Sequence, residues 1–125
     1  IRDGVVVLLG VKKGDSDKES EYLAQKVSKL RIFNYKQNKM NHSLVDISGS
    51  VLVISQFTLC ADTRKGRRPS FVNAESPELS KKLYNKFISC LADKGLEVQS
   101  GEFGSNMDVK LVNNGPVTFV LDSKD

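Results

Sequence analysis

Histidine is almost absent from this sequence, with one in 125 residues, His42. A Ser-His-Asp or Cys-His hydrolase needs an imidazole beside its nucleophile. His42 sits in a polar stretch and reads as a surface histidine, so neither arrangement is supported. Cysteine is equally sparse. Cys60 and Cys90 lie 30 residues apart, without the close spacing of a metal or redox motif. They read as small buried apolar side chains, usage that suits a reducing compartment. Long apolar runs are missing too. The longest, residues 5–9 and 51–54, are strand-sized and far short of the roughly 20 residues of a membrane span. The start of the chain has no signal-peptide pattern. Any hydrolysis built on this chain must use another base, a hydroxyl of the substrate, or backbone dipoles.

What is present reads as one soluble globular domain over residues 1–125. Hydrophobic residues make up 39% and charged residues 27%, which is not a disordered composition. The net charge of +4 permits an anionic partner such as RNA without requiring one. The first residue is Ile1 and the first methionine is Met40. A processed or shortened chain, lacking an N-terminal strand, is therefore expected.

Periodicity orders the elements. Residues 5–11 form an apolar run closed by Lys12-Lys13-Gly14-Asp15, a buried strand and turn. Ser16 and Glu19 stand at capping-box spacing. Leu23, Val27 and Leu30 share one face, which predicts an amphipathic helix over residues 17–30. Residues 31–35 read as a short strand and 36–43 as a loop. Residues 51–60, rich in β-branched and aromatic side chains, read as one long strand. Ser76-Pro77 supplies an N-cap and an N1 proline. Leu79, Leu83, Phe87, Cys90 and Leu91 then form one apolar face, and Gly95 is placed to end the helix as C′. Alternation over 107–113 and 117–121 predicts two closing strands. The order suggests an α+β fold with a mixed sheet and two amphipathic helices.

Four segments carry candidate chemistry. Ser55-Gln56-Phe57-Thr58-Leu59 puts three polar side chains into an apolar strand, with Gln56 and Thr58 on one face by period two. They can hold a polar ligand at a sheet edge, or simply face water. Arg64-Lys65-Gly66-Arg67-Arg68-Pro69 packs four cations into six residues. That suits phosphate, and equally an ordinary solvated loop. Phe103-Gly104 lies in a glycine-flanked loop, where the ring packs on the core or stacks on a base. Asn113-Asn114-Gly115-Pro116-Val117-Thr118 reads as a turn. Only about 5–6% of X-Pro bonds in folded proteins are cis, so the sequence alone favours trans at Gly115-Pro116.

In order along the chain, these segments resemble the D-aminoacyl-tRNA deacylase family, also called D-tyrosyl-tRNA deacylase. Its two motifs match Ser55-Gln56-Phe57-Thr58, with Leu59 following, and Asn113-Asn114-Gly115-Pro116-Val117-Thr118. The flanks at 61–71, and Gly101-Glu102-Phe103-Gly104 followed by Met107, match as well. The resemblance implies a barrel-like curved sheet and a cytoplasmic homodimer without a cofactor or metal. It also implies translation quality control, in which the ester of D-aminoacyl-tRNA, and mischarged Gly-tRNA, is hydrolysed. Ser55, Gln56, Phe57 and Thr58 would form the catalytic segment. Gly115 and Pro116, joined by a cis bond, would reach into the partner's pocket and exclude L side chains. Ala74, Phe103, Gly104 and Met107 would line the pocket for the terminal adenosine. Arg64, Lys65, Arg67 and Arg68 would meet tRNA phosphates, and Asn113 and Thr118 would support the Gly-Pro turn. Two other readings stand beside it: a nucleic-acid-binding module without catalysis, and a deacylase of relaxed chirality.

Overall fold

A computed structural model of the chain describes residues 1–34, 40–115 and 117–125. Three strands, β1 (Gly4–Leu9), β4 (Ser50–Ser55) and β5 (Glu97–Ser100), form a parallel sheet in the order β1-β4-β5. Two more, β2 (Arg31–Asn34) and β3 (Met40–Ser43), pair antiparallel in a separate sheet. The helices are α1 (Asp17–Lys29) and α2 (Pro77–Ala92).

The central strand explains why the parallel sheet forms. Val51, Val53 and Ile54 of β4 are buried, as expected of a strand bonded on both sides and covered by helices. Register with β1 runs from Gly4↔Ser50 to Leu9↔Ser55. A Cβ on Gly4 would meet the Ser50 carbonyl oxygen, so only glycine allows β1 to start this close. Helix α2 lays Tyr84, Phe87 and Leu91 into the core with Ala24 of α1 and Val51 and Val53, and its Leu83 is buried as well. Tyr84 Oη donates to the Val53 carbonyl at 2.9 Å, and Ser20 Oγ of α1 donates to Leu83 O at 2.9 Å. Those two bonds satisfy buried hydroxyls and lock helix to strand and helix to helix.

The helix ends follow local chemistry. Ser16 caps α1 in a complete capping box with Glu19, and Ser76 caps α2 with Pro77 behind it. Gly95 takes φ +81°. It lies two residues past the C-cap Asp93, one position beyond the expected C′. Cys60 is buried, Cys90 half-buried, and both are free thiols.

Several expectations need correction. The strand expected over 51–60 stops at Ser55, and Phe57–Cys60 is a 3-10 turn. Propensity reads the run as one strand because Phe, Thr and Leu suit sheets. However, Gln56 N takes the last bond to β1, at Leu9 O (2.8 Å), and Leu59 N then turns back to Gln56 O (3.2 Å). Residues 40–43 are strand rather than loop, and this places half-buried His42 in β3; residues 35–39 lie outside the described residues. Strand β5 was not expected: its one apolar residue, Val98, gives no periodic signal, and it exists through its pairing with β4.

Residues 107–113 and 117–121 are not strands. No backbone hydrogen bond among the described residues ties them to a neighbour. Alternation assigns faces, but a strand also needs a partner's N–H and C=O groups. Leu111, Val112, Phe119 and Val120 are accordingly exposed. The mixed sheet expected from element order is instead two sheets, parallel and antiparallel. Among the described residues neither closes into a barrel.

Candidate active site

Parallel strands bring their carboxyl ends to one edge, where open α/β sheets bind ligands. Strand β4 delivers Ser55, Gln56, Phe57 and Thr58 to that edge, and β5 delivers the 101–107 loop. Ala74 is brought there by chain pairing: it bridges Lys12, just past β1, and Glu75 N bonds Val11 O at 3.0 Å. Residues 50 positions apart in sequence thus share one rim because the strands are parallel.

Within the turn, Gln56 Nε2 donates to Thr58 Oγ1 at 2.5 Å. The expected pairing of Gln56 with Thr58 is therefore present, produced by a 3-10 turn rather than by strand alternation. Its first internal bond is Leu59 N to Gln56 O. The N–H groups of Phe57 and Thr58 come before that ladder and have no protein acceptor among the described residues. Gly10 lets the turn sit close, since a Cβ there would lie 3.1 Å from Cys60 Sγ and from Gln56 O. Burial pushes the Cys60 thiol up, so it stays protonated and is no nucleophile.

The 101–107 loop carries Phe103. Its ring packs against the core and sits 5.5 Å from that of Tyr84, half-buried rather than splayed outward. Met107 lies directly over Gly101: a Cβ on that glycine would come 2.5 Å from Met107 Sδ and 3.5 Å from Ile54 Cδ1. Gly104 adopts φ +79°, a conformation that favours glycine.

The cationic loop leaves directly after the 3-10 turn. Asp62 N bonds Ser70 O at 2.7 Å and Ser70 N bonds Asp62 O at 2.9 Å, closing the loop at its base. Arg64 grips Asp62 with a fork, Nε to Oδ1 at 2.9 Å and Nη2 to Oδ2 at 2.8 Å. Of the four cations expected to meet phosphate, Arg64 is thus already engaged. Lys65, Arg67 and Arg68 are exposed, and no carboxylate among the described residues pairs with them. The fork to Arg64 holds the Asp62 carboxyl at about 2 against its ordinary 3.8. A group lowered on folding contributes above 3.8 and loses that contribution as pH falls through about 2. An exposed pair adds little to global stability; its effect is on loop geometry. Carboxyl NMR titration should give an Asp62 midpoint near 2, returning towards 3.8 in Arg64→Ala. An ordinary midpoint in the unaltered chain would mean that the fork does not form in solution.

The segment 113–118 holds itself together. Asn113 Nδ2 donates to Thr118 Oγ1 at 2.9 Å across the turn. A Cβ on Gly115 would sit 2.2 Å from Val117 N, so the position admits only glycine. Gly115 and Thr118 are exposed. No hydrogen bond among the described residues joins this segment to Gln56 or Thr58. Pro116, and with it the isomer of its peptide bond, lies outside the described residues.

Sequence reasoning missed Phe71, whose ring packs 5.0 Å from that of Phe57 at 57°, because no local pattern links two apolar residues across a polar loop. It also missed Tyr84 and Gly10, which carry only core and turn signals. Two shallow cavities lie elsewhere, of about 300 Å³ beside Arg31 and Asp46 and about 230 Å³ beside Tyr22 and Leu121. Neither contains a residue of this rim, so cavity volume does not locate the site. Among the described residues no cluster of three or more His, Cys, Asp or Glu side chains is placed to hold a metal. No helix among them is long and apolar enough to cross a membrane.

Known proteins share this arrangement of sequence. The model of the D-Tyr-tRNA(Tyr) deacylase family matches residues 1–122. A D-aminoacyl-tRNA deacylase of Thermosipho africanus is 52% identical over 99% of this chain and 83% of its own length. A Bacillus subtilis protein named an inactive D-aminoacyl-tRNA deacylase is 50% identical over 99% of this chain and 94% of its own. Among solved structures, a c-Myc DNA unwinding element binding protein superposes with a TM-score of 0.83 at 36% identity. That match covers 91% of this chain and 78% of the other. A family model spanning nearly the whole chain, with relatives at half identity over nearly all of it, makes this chain a member of the D-Tyr-tRNA(Tyr) deacylase family.

Proposed function

We propose that the chain hydrolyses the ester bond of D-aminoacyl-tRNA, releasing the D-amino acid and free tRNA. The observation that carries this reading is the Ser55–Thr58 turn at the carboxyl edge of the parallel sheet. There a hydrogen-bonded Gln56–Thr58 pair sits beside two N–H groups that precede the 3-10 ladder. Family membership supplies the substrate class.

Ester hydrolysis moves negative charge onto the carbonyl oxygen as water attacks. The Phe57 and Thr58 N–H groups are preorganised donors for that oxyanion. The attacking water loses its proton, the ester C–O bond breaks, and a proton ends on the leaving ribose oxygen. Thr58 is not poised as a nucleophile. Its hydroxyl faces the Gln56 amide, and an amide is not a base, whichever of its two atoms faces the hydroxyl. Thr58 therefore positions the substrate, with Ser55 and Gln56 orienting the turn. The neighbouring hydroxyl of the terminal ribose assists the water, so the substrate supplies what this chain lacks.

Stereochemical choice belongs to Gly115 and Pro116. In this reading two chains pair in the cytoplasm, and each lends its Gly-cis-Pro turn to the partner's Ser55–Thr58 pocket. Backbone atoms there exclude an L side chain and admit D-aminoacyl and glycyl esters. Ala74, Phe103, Gly104 and Met107 border the adenosine, and Asn113 and Thr118 brace the turn. Lys65, Arg67 and Arg68 take phosphates, with Arg64 joining only on leaving Asp62.

Purified protein should release D-Tyr from D-Tyr-tRNA and leave L-Tyr-tRNA intact. Thr58→Ala should lower kcat about tenfold, roughly 1.4 kcal/mol in the barrier, without abolishing turnover. Complete loss with unchanged tRNA binding would instead assign Thr58 the nucleophilic role. A second reading, nucleic-acid binding without catalysis, draws on the cationic loop and on a half-identical relative named inactive. It requires salt-sensitive RNA or DNA binding with both esters spared, so the same assay separates the two.

A further inference from the structure

We infer that Phe71 is a positioning residue for this reaction, holding the Ser55–Thr58 turn through ring contact with Phe57. The inference rests on the deacylase reading of that turn. A four-residue 3-10 turn is intrinsically weak, because few bonds fix it and their geometry is poorer than in an α-helix. Here two backbone bonds bracket it, Leu59 N to Gln56 O at 3.2 Å and Ala61 N to Thr58 O at 3.1 Å. Phe57 is 59% exposed and so gains little from the core. Its aromatic partner among the described residues is Phe71, with centroids 5.0 Å apart and planes tilted by 57°, the favourable offset range for two rings.

Phe71 suits this task because its own backbone is held on both sides. Ser70, immediately before it, is doubly bonded to Asp62, and Ala74 N bonds Phe71 O at 3.0 Å. The segment continues into the Ala74–Lys12 bridge beside β1. Phe71 is thus a strut between the exit of β1 and the turn that carries the two N–H donors. Losing it leaves the donors in place but free to drift, and a misplacement of about 1 Å is enough to cost up to about 100-fold in rate.

Steady-state kinetics on D-Tyr-tRNA, with amide hydrogen exchange, tests the role in the full chain. Phe71→Ala should lower kcat about tenfold, leave KM within about twofold, and speed exchange of the Leu59 amide about tenfold. Phe71→Tyr keeps the ring and should restore kcat and exchange protection. Unchanged kcat in Phe71→Ala, or Phe71→Tyr as slow as Phe71→Ala, would overturn the role. A rise in KM alone would also overturn it, by making Phe71 a substrate contact. No turnover by the unaltered chain would sink the deacylase reading itself. The Leu59 exchange rate would still report whether Phe71 holds the turn.

Discussion

Gly115→Ala is expected to lower kcat/KM on D-Tyr-tRNA by at least about 100-fold, the scale of a misplaced positioning group. The reason is steric and local. A Cβ at this position would lie 2.2 Å from Val117 N and 3.2 Å from Asn113 Oδ1. The first is a backbone atom and cannot rotate aside, so the turn must rebuild. Rebuilding separates Asn113 from Thr118, whose side chains now meet at 2.9 Å. The turn is exposed and contributes nothing to the core cluster. Thermal stability should therefore fall by no more than about 4 °C, roughly 1 kcal/mol for a domain of this size. Activity and stability are expected to part company. Activity within threefold of the unaltered chain would remove Gly115 from the working surface. A large drop in melting temperature would show that the turn carries structure instead.

The second large effect is opposite in kind. Phe87→Ala should destabilise the fold by about 3–5 kcal/mol and lower the melting temperature by roughly 10–20 °C. Phe87 is completely buried, in the cluster that joins α2 to Val51, Val53 and Ala24. Truncating it leaves a cavity that backbone held by the β4 ladder cannot collapse to fill. Since domains carry only about 5–15 kcal/mol in total, much of this variant unfolds on mild heating. Its folded fraction should hydrolyse D-Tyr-tRNA with normal KM, because Phe87 is fully buried in the core cluster. A loss below about 1.5 kcal/mol by denaturant titration would mean that the core repacks around the missing ring.

The two variants divide the molecule as its physics does. Core positions act through burial, and in the proposed mechanism the rim acts through the placement of backbone dipoles. That division also explains how a family of hydrolases is compatible with one histidine. The groups proposed to do the work are N–H donors, an amide–hydroxyl pair and a glycine turn, none of which depends on an ionisable side chain.

Much of this is legible in the sequence. The Ser16–Glu19 box, the Ser76-Pro77 start of α2, and the apolar runs of β1 and β4 are local signals, and each element formed where its signal lay. The two motifs likewise stood out as polar or glycine-bearing interruptions. Other features depended on a partner elsewhere in the chain. Glu97–Ser100 is a strand because β4 offers it a free edge. Residues 107–113 alternate well but have no backbone partner among the described residues, and so form no strand. Arg64 reads as a phosphate ligand until Asp62, two residues earlier, is seen gripping it. That the Phe103 ring packs on the core depends on Tyr84, 19 residues earlier. By itself, then, the order of residues determined the helices, their caps, the central strand and the two motifs, since propensity, capping and periodicity act within a few residues. The tertiary structure alone decided which strands pair, where the 51–60 run bends, and that Ser55–Thr58, Ala74 and Met107 share one rim, because those outcomes depend on hydrogen-bond partners and ring contacts far apart in the chain.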